Sequence, residues 1–294
     1  MTFLAVALMI VGAFVGNAGG SGEGEFLRSV DAHSSSVILS GLMRGLGFAL
    51  LAFPLVYLFR AVRARSERVR PQLIGLVVVA PLFLAVTTGL TGFAQREAAE
   101  EFVAGGAKST LTRAEAKEKC RSDLKDEGAK GFAEEFEPKQ GETALEACER
   151  RKREDDQASN AIGETSLAPI VSGLGIAGGL GFAIALFYCC LWGMRTGLLS
   201  RFWGSLGMAL GIAALLGLIL FTLIWFIYFG ILILDRLPSG RPPAWDAGEA
   251  VPWPTPGEKA AAELEPAGEL EDGAEAEEQV PPEGDQPRKR KQRE

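Results

Sequence analysis

The chain has 294 residues, 48% of them hydrophobic, a formal net charge of −7 and a single histidine. Its apolar residues fall in blocks with the charges between them, which excludes a soluble core wrapped in a polar shell and indicates a multi-pass helical membrane protein. One histidine leaves almost no material for a histidine metal site or catalytic dyad, and no catalytic triad, H-E-x-x-H or phosphate loop is present, so neither an enzyme nor a cofactor or metal is expected.

The first apolar block, 2–15, is followed by Asn17, Gly19 and Gly20. Its length suits an uncleaved first helix or the core of a signal peptide cut near Gly16-Asn17-Ala18. No Lys or Arg precedes it, which favours the uncleaved helix. Either way, 19–36 is an outer loop. Asp31 or one of Ser34, Ser35 and Ser36 is expected to cap the next helix through a side-chain oxygen. His33 reads as an exposed polar residue ahead of a ligand or a pH sensor.

The second block, 37–59, runs straight into Arg60, Arg63, Arg65, Arg68 and Arg70, relieved only by Glu67. A short arginine-rich loop belongs in the cytoplasm. Arg44 sits about two turns into the block, and an ionisable residue at that depth is a functional candidate. The plainer reading is that its long stem snorkels to the outer interface. The third block, 73–93, returns to the outside and is expected to kink at Pro81.

Residues 95–165 are soluble and charged. The third helix is expected to run on to Val103 and stop at Gly105 and Gly106. Thr112 with Glu115, and Thr143 with Glu146, read as capping boxes. They open helices over about 113–127 and 144–157, the first ended by Gly128 and Gly131 and the second just before Asn160. Glu115 with Lys119, Glu146 with Arg150 and Glu149 with Arg153 are spaced as helix-supporting pairs. Ala116, Cys120 and Leu124 form one thin apolar stripe, and Leu145 with Cys148 another. One cysteine on each stripe points to a Cys120–Cys148 disulfide between antiparallel helices, which an extracytoplasmic location permits.

The fourth block, 167–192, contains Gly173-Leu-Gly175-Ile-Ala-Gly178. That spacing matches a dinucleotide fingerprint, but no strand precedes it, so the glycines read as close helix contacts. Gly12 with Gly16, Gly41 with Gly45, Gly175 with Gly179 and Gly207 with Gly211 share the one-turn spacing. Cys189 and Cys190 read as small apolar residues. Arg195 and Arg201 mark a second cytoplasmic loop. Beyond it, 202–234 carries no charge and is too long for one simple crossing. Two short helices breaking near 217–222 bring the chain to about six crossings; a single tilted helix gives five.

Gly45-Leu-Gly-Phe-Ala49 recurs as Gly179-Leu-Gly-Phe-Ala183, which suggests a duplicated helical hairpin or coincidence among common membrane residues. The tail, 236–294, begins with a Pro- and Trp-rich segment that includes Pro238, Pro242, Pro243, Trp245, Pro252, Trp253, Pro254 and Pro256. It then turns acidic, a composition expected to be disordered, and ends in a basic cluster around Arg288 and Arg290. That cluster suits anionic lipid better than nucleic acid.

Arg195-Thr-Gly-Leu-Leu-Ser-Arg201, then Pro242-Pro-Ala-Trp245, Gly248-Glu-Ala250 and Pro252-Trp-Pro254, resemble uncharacterised actinobacterial multi-pass membrane proteins. The resemblance implies architecture and carries over no functional residues.

The expected fold is therefore an all-α polytopic membrane bundle of about six helices. It divides into 1–94, an extracytoplasmic helical hairpin at 95–165, membrane helices at 166–235 and the tail at 236–294, with a cytoplasmic C-terminus. The expected place is the plasma membrane. The expected partners are the bilayer and other membrane proteins, met through the glycine-rich helices or the hairpin. The expected role is a non-enzymatic scaffold, assembly component or sensor; a small-solute transporter is the alternative.

Overall fold

The computed structural model describes residues 1–16, 19–20, 22–136, 138, 141–237 and 240–253, the side chains at 127–135 excepted. The proposed cleavage site beyond Gly16, Pro238 and the tail from Pro254 lie outside the described residues. Among the described residues all regular structure is helical: α1 (Thr2–Val15), α2 (Glu23–Ala32), α3 (Ser34–Arg65), α4 (Ile74–Val103), α5 (Arg113–Phe136), α6 (Ala144–Glu164), α7 (Ala168–Arg195), α8 (Arg201–Leu215), α9 (Ile219–Ile233) and α10 (Ala244–Ala247). A 3₁₀ turn, Pro71–Leu73, leads into α4.

Among the described residues, three stretches are long and apolar enough to cross a membrane: Ser34–Arg65, Pro71–Val103 and Ala168–Arg195. At about 1.5 Å per residue they exceed the roughly 30 Å of a hydrocarbon core. Helix α1 and the α8–α9 pair are shorter apolar helices. Gly217 takes φ +81 between α8 and α9, so the uncharged run does break into two helices of 15 residues each. Each rises only about 22 Å.

Buried residues from α1, α3, α7 and α9 share one core. Leu51, Leu55 and Leu58 of α3, Phe182 and Leu186 of α7, and Trp225, Phe226 and Phe229 of α9 have almost no exposure. Ala5, Val6 and Met9 bring α1 into the same core. The outward face of these helices is apolar too, with Leu42, Phe53, Ile176, Leu180, Phe221 and Ile224 all exposed. An apolar core beneath an apolar exterior fits a membrane protein, because water would disfavour that outer belt.

Glycines let the backbones approach. A Cβ added at Gly45 would lie 2.6 Å from the Ala85 carbonyl, and at Gly41 or Gly92 it would lie 3.0 Å from the Thr88 or Val37 carbonyl. These positions form the α3–α4 seam. Gly207 meets Cys190 and the Trp225 indole, and Gly211 lies 3.2 Å by the same measure from the Ala183 carbonyl, in the α7–α8 seam. Gly175 and Gly179 meet only the tips of Thr87 and Leu215, at 3.3 Å. The G-x-G-x-x-G run lies wholly inside α7. Cys189 and Cys190 are buried free thiols. Phe48 and Phe182, equivalent in the sequence repeat, meet edge to face with centroids 6.5 Å apart.

Several local expectations are corrected. The outer loop contains α2, which holds Asp31 inside a helix, and α3 starts from His33 without a side-chain cap. Helix α5 continues through Gly128 and Gly131 to Phe136, and α6 passes Asn160 to Glu164. Pro81, where a kink is expected, lies within α4, which continues on both sides of it, and Pro54 lies likewise within α3. Helix α4 does run to Val103, and Gly105 follows with φ +71.

The charged segment also builds its core differently. Leu27 and Val30 of α2, Ala98, Ala99 and Phe102 of α4, and Ala158 and Ala161 of α6 are buried together. The later part of α6 is thus covered by α2 and by the α4 extension, while its thin stripe, Leu145 and Cys148, packs with Cys120 and Leu124 of α5. The Cys120–Cys148 disulfide is present, with Cα atoms 6.0 Å apart. Arg113, Cys120 and Asp123 of α5 pair with Glu149, Cys148 and Lys152 of α6.

The seam geometry sets two opposite outcomes for glycine-to-alanine changes. Gly45→Ala should cost about 1–3 kcal/mol through overpacking. Gly173→Ala, where a Cβ meets nothing within 4 Å, should instead stabilise by about 0.5–1 kcal/mol. Thermal unfolding of the full chain in detergent checks this, and equal effects at both sites would dismiss the seam.

Candidate functional site

The most elaborately built site lies at the end of the bundle where α3, α7 and α9 finish. The last carbonyls of a helix lack intrahelical donors. Here arginine side chains donate to carbonyls of the last turns of α3 and α9. Arg65 donates from Nη1 to the Ala61 carbonyl at 3.0 Å, in the last turn of α3. Arg241 donates from Nε to the Leu232 carbonyl at 3.2 Å and also bonds the Ile233 carbonyl, both in the last turn of α9. An ion pair with Asp235 at 3.4 Å steadies Arg241.

The same groups fasten residues 241–251 across the bundle end as a strap. Arg65 Nε donates to the Ala244 carbonyl at 2.7 Å and its Nη2 to the Trp245 carbonyl at 3.2 Å. The Trp245 indole donates to the Leu198 carbonyl at 2.9 Å. It stacks on Tyr57 with centroids 5.9 Å apart, and the Arg65 guanidinium lies 5.7 Å from its ring centre. Further along, the Val251 N–H donates to the Thr196 carbonyl at 3.2 Å. Gly197 takes φ +77, and the Val251 carbonyl comes so close that any Cβ there would collide. The strap therefore joins two segments far apart in the chain, around Arg195–Arg201 and Pro242–Ala250. No spacing in the sequence pairs them.

The charged cap at the other end is held by carboxylates. Asp156 Oδ2 accepts from the Thr110 N–H at 2.7 Å, the Ser109 hydroxyl at 2.8 Å and the Leu111 N–H at 3.0 Å. Gln157 donates to the Ala107 carbonyl and Asn160 to the Lys108 carbonyl, so α6 pins the whole α4–α5 loop. Asp155 accepts the Gly24 N–H, and Glu154 pairs with Arg28, which joins α2 to α6. Glu97 accepts from the N–H and hydroxyl of Ser166, tying α4 to the start of α7. A cavity of about 590 Å³ lies on this cap, lined by Lys108, Ser109, Arg113, Glu149, Arg153 and Gln157 among others.

Both expected capping boxes form. Thr112 and Glu115 exchange bonds, as do Thr143 and Glu146. The hydroxyl and N–H of Thr112 hold Glu115 below its ordinary value, and the N–H and hydroxyl of Thr143 do the same for Glu146. The expected i,i+4 partners differ, however. Arg150 turns to Glu142 at 3.0 Å, and Glu149 faces Arg113 at 3.6 Å. Asp156, Asp155 and α2 were not singled out by sequence reasoning. A signal for α2 existed: Glu23 and Glu25 open it, and Phe26, Leu27 and Val30 fall on one face.

Arg44 is half-buried in α3 and lines a cavity of about 250 Å³ with Ser40, Thr88, Thr91 and Gln95. Its stem packs on α1, where a Cβ at Gly12 would lie 2.8 Å from Arg44 Cγ. The glycine candidates Gly41, Gly45, Gly175, Gly179, Gly207 and Gly211 line helix contacts and do not converge on Arg44 alone. His33 is exposed and its Nδ1 lies 3.1 Å from the Ser29 carbonyl.

Two outcomes follow from the clamps. Burial would raise the Asp156 carboxyl, but the bonds from Leu111, Ser109 and Thr110 outweigh it and hold Asp156 below its ordinary 3.8. A depressed folded value gives the docked loop stability that is full above the ordinary value and lost as pH falls through the lower folded one. Amide protection at Thr110 and Leu111 should persist down to about pH 4 and fade below it. In Asp156→Asn it should drop about tenfold at neutral pH, as expected for a lost charged acceptor. Unchanged hydrogen exchange in the variant would remove Asp156 as the clamp. At the opposite end, Gly197→Ala should release the strap. Limited proteolysis within 241–251 should then be faster than in the parent chain, and an equal rate would show that the strap does not need the glycine. No family model, curated protein or solved structure matches this chain.

Proposed function

We propose that this chain is a multi-pass plasma-membrane protein that works without catalysis, as a scaffold or assembly component. The observation that supports it best is the construction of two ordered platforms at opposite ends of an apolar bundle. One is the disulfide-linked cap. The other is the strapped arginine-rich end. Both are fastened by directed side-chain bonds, which hold a surface in one shape for a partner to recognise.

The arginine-rich end belongs in the cytoplasm by the positive-inside rule. The cap then lies outside, where a disulfide persists. With α1, α8 and α9 each crossing a locally thinned bilayer, the chain crosses six times and its C-terminal tail is inside. The tail and the cap would then address partners in different compartments. The resemblance to actinobacterial multi-pass membrane proteins agrees with this architecture.

A small-solute transporter is the second reading. It is favoured by the cavity at Arg44 and by the contact between the repeated phenylalanines. Photo-crosslinking in native membranes separates the two. A crosslinker at exposed Lys117 or Arg121 of the cap should give one discrete adduct with another membrane protein, and Cys120→Ser should abolish it. No such adduct, together with solute uptake above empty vesicles that Arg44→Ala abolishes, would replace the scaffold by the transporter.

A further inference from the structure

We propose that the cavity framed by Arg65, Arg68 and Arg195, at the arginine-rich end, binds a phosphate ester. The cavity measures about 430 Å³ and is lined by these arginines with Ser66, Trp192, Thr196 and Ala250. That volume falls in the range of small-ligand pockets, roughly 300–1,000 Å³. Its charged lining is of one sign. Arg65 is already committed to three carbonyls and to Trp245. Arg68 and Arg195 are exposed, and among the described residues neither has a carboxylate partner. Arg195 rests on the Trp192 ring, 5.2 Å from its centre. Stacking leaves the N–H groups along the guanidinium edge free to donate.

Two guanidiniums without counter-ions, set beside a hydroxyl, suit a tetrahedral dianion or diester better than a lone carboxylate. The pocket is shaped by three separate elements. Arg65 and Ser66 end α3, Trp192 to Thr196 end α7, and Ala250 belongs to the strap. Val251 bonded to Thr196 fixes the third wall. Tyr188, whose hydroxyl accepts the Arg70 N–H at 3.2 Å, continues the aromatic lining toward the apolar helices. Aromatics beside arginines at the end of apolar helices mark the level at which lipid phosphates lie. The lipid source therefore rests on the membrane reading proposed above, whereas the phosphate chemistry rests on the arginines alone.

The test uses the full chain in phosphatidylcholine nanodiscs, with and without phosphatidylglycerol, and native mass spectrometry of retained lipid. Glycerol 3-phosphate added to phosphatidylglycerol-free discs forms the soluble arm. The variant is Arg68→Gln with Arg195→Gln, which spares the strap anchor Arg65. Arg60→Gln with Arg63→Gln removes the same charge from exposed positions outside the cavity. Retention of phosphatidylglycerol that falls about tenfold in the first pair only supports a lipid phosphate. Binding of glycerol 3-phosphate with the same dependence supports a soluble ester. Equal retention of the two lipids with no glycerol 3-phosphate binding overturns the proposal, as does an equal fall in both pairs. Should the chain stay in water and not enter discs, the membrane reading fails, and the glycerol 3-phosphate arm on the soluble chain still decides the phosphate site.

Discussion

Helix α4 is one uninterrupted helix from Ile74 to Val103, and the rest of the structure is arranged around that continuity. Its first part is apolar on all sides, and its last turns carry Arg96, Glu97, Glu100 and Glu101. A helix that leaves an apolar bundle for a polar one must still cover Ala98, Ala99 and Phe102. Helices α2 and α6 cover them, with Leu27, Val30, Ala158 and Ala161. The cap is therefore an extension of the bundle and shares its longest strut. The glycine seam fixes α4 to α3 lower down, so a displacement at Gly45 or Gly92 would be carried by a stiff rod into the cap.

The two ends of the bundle solve the same accounting problem with opposite charges. Every buried backbone donor and acceptor needs a partner. At the cap, the α4–α5 loop exposes N–H groups, and the carboxylate of Asp156 accepts them. At the strap, α3 and α9 end and Arg65 and Arg241 donate to carbonyls of their last turns, while Trp245 donates to Leu198 in the loop after α7. Helix C-termini carry partial negative charge, so cations there are favourable twice, as donors and as charges. This use of arginine adds a structural cause to the basic character of that end, beyond any rule about membrane orientation.

Much of this was legible in the sequence where the signal is local. The apolar blocks, the capping boxes, the stop after Val103 and the turn at Gly217 each depend on a few neighbouring residues. The disulfide was legible because two thin stripes each held one cysteine. The failures come from long-range contacts. Gly128 and Gly131 read as helix stops, yet α5 passes through both, so intrinsic propensity was overridden. The expected i,i+4 pairs on α6 gave way to other partners, because Arg150 reaches Glu142 just before the helix and Glu154 one turn on, and Glu149 reaches Arg113 of α5. Of the candidate site, the arginines and Trp245 were visible as types, but their meeting was not.

Trp245 shows why that meeting matters. As one residue of a proline-rich segment it could equally lie on a membrane surface or serve a partner. In the structure its indole N–H is used by Leu198, one face by Tyr57 and Arg65 lies over its ring, so it has little left to offer a ligand. The segment around it is thus a fixed wall, and the groups still free beside it are Arg68 and Arg195. Anchoring Arg65 to the strap is what separates the structural arginine from the available ones. The same separation holds at the cap, where Asp156 is consumed by the loop while the 590 Å³ cavity beside it keeps Lys108 and Arg153 on its wall. In both places a cavity is walled partly by groups that hold the chain together, Arg65 at one end and Ser109 and Gln157 at the other. Those bonds fix the wall, and the charged side chains beside them, Arg68 and Arg195 at one end and Lys108 and Arg153 at the other, are the ones it presents.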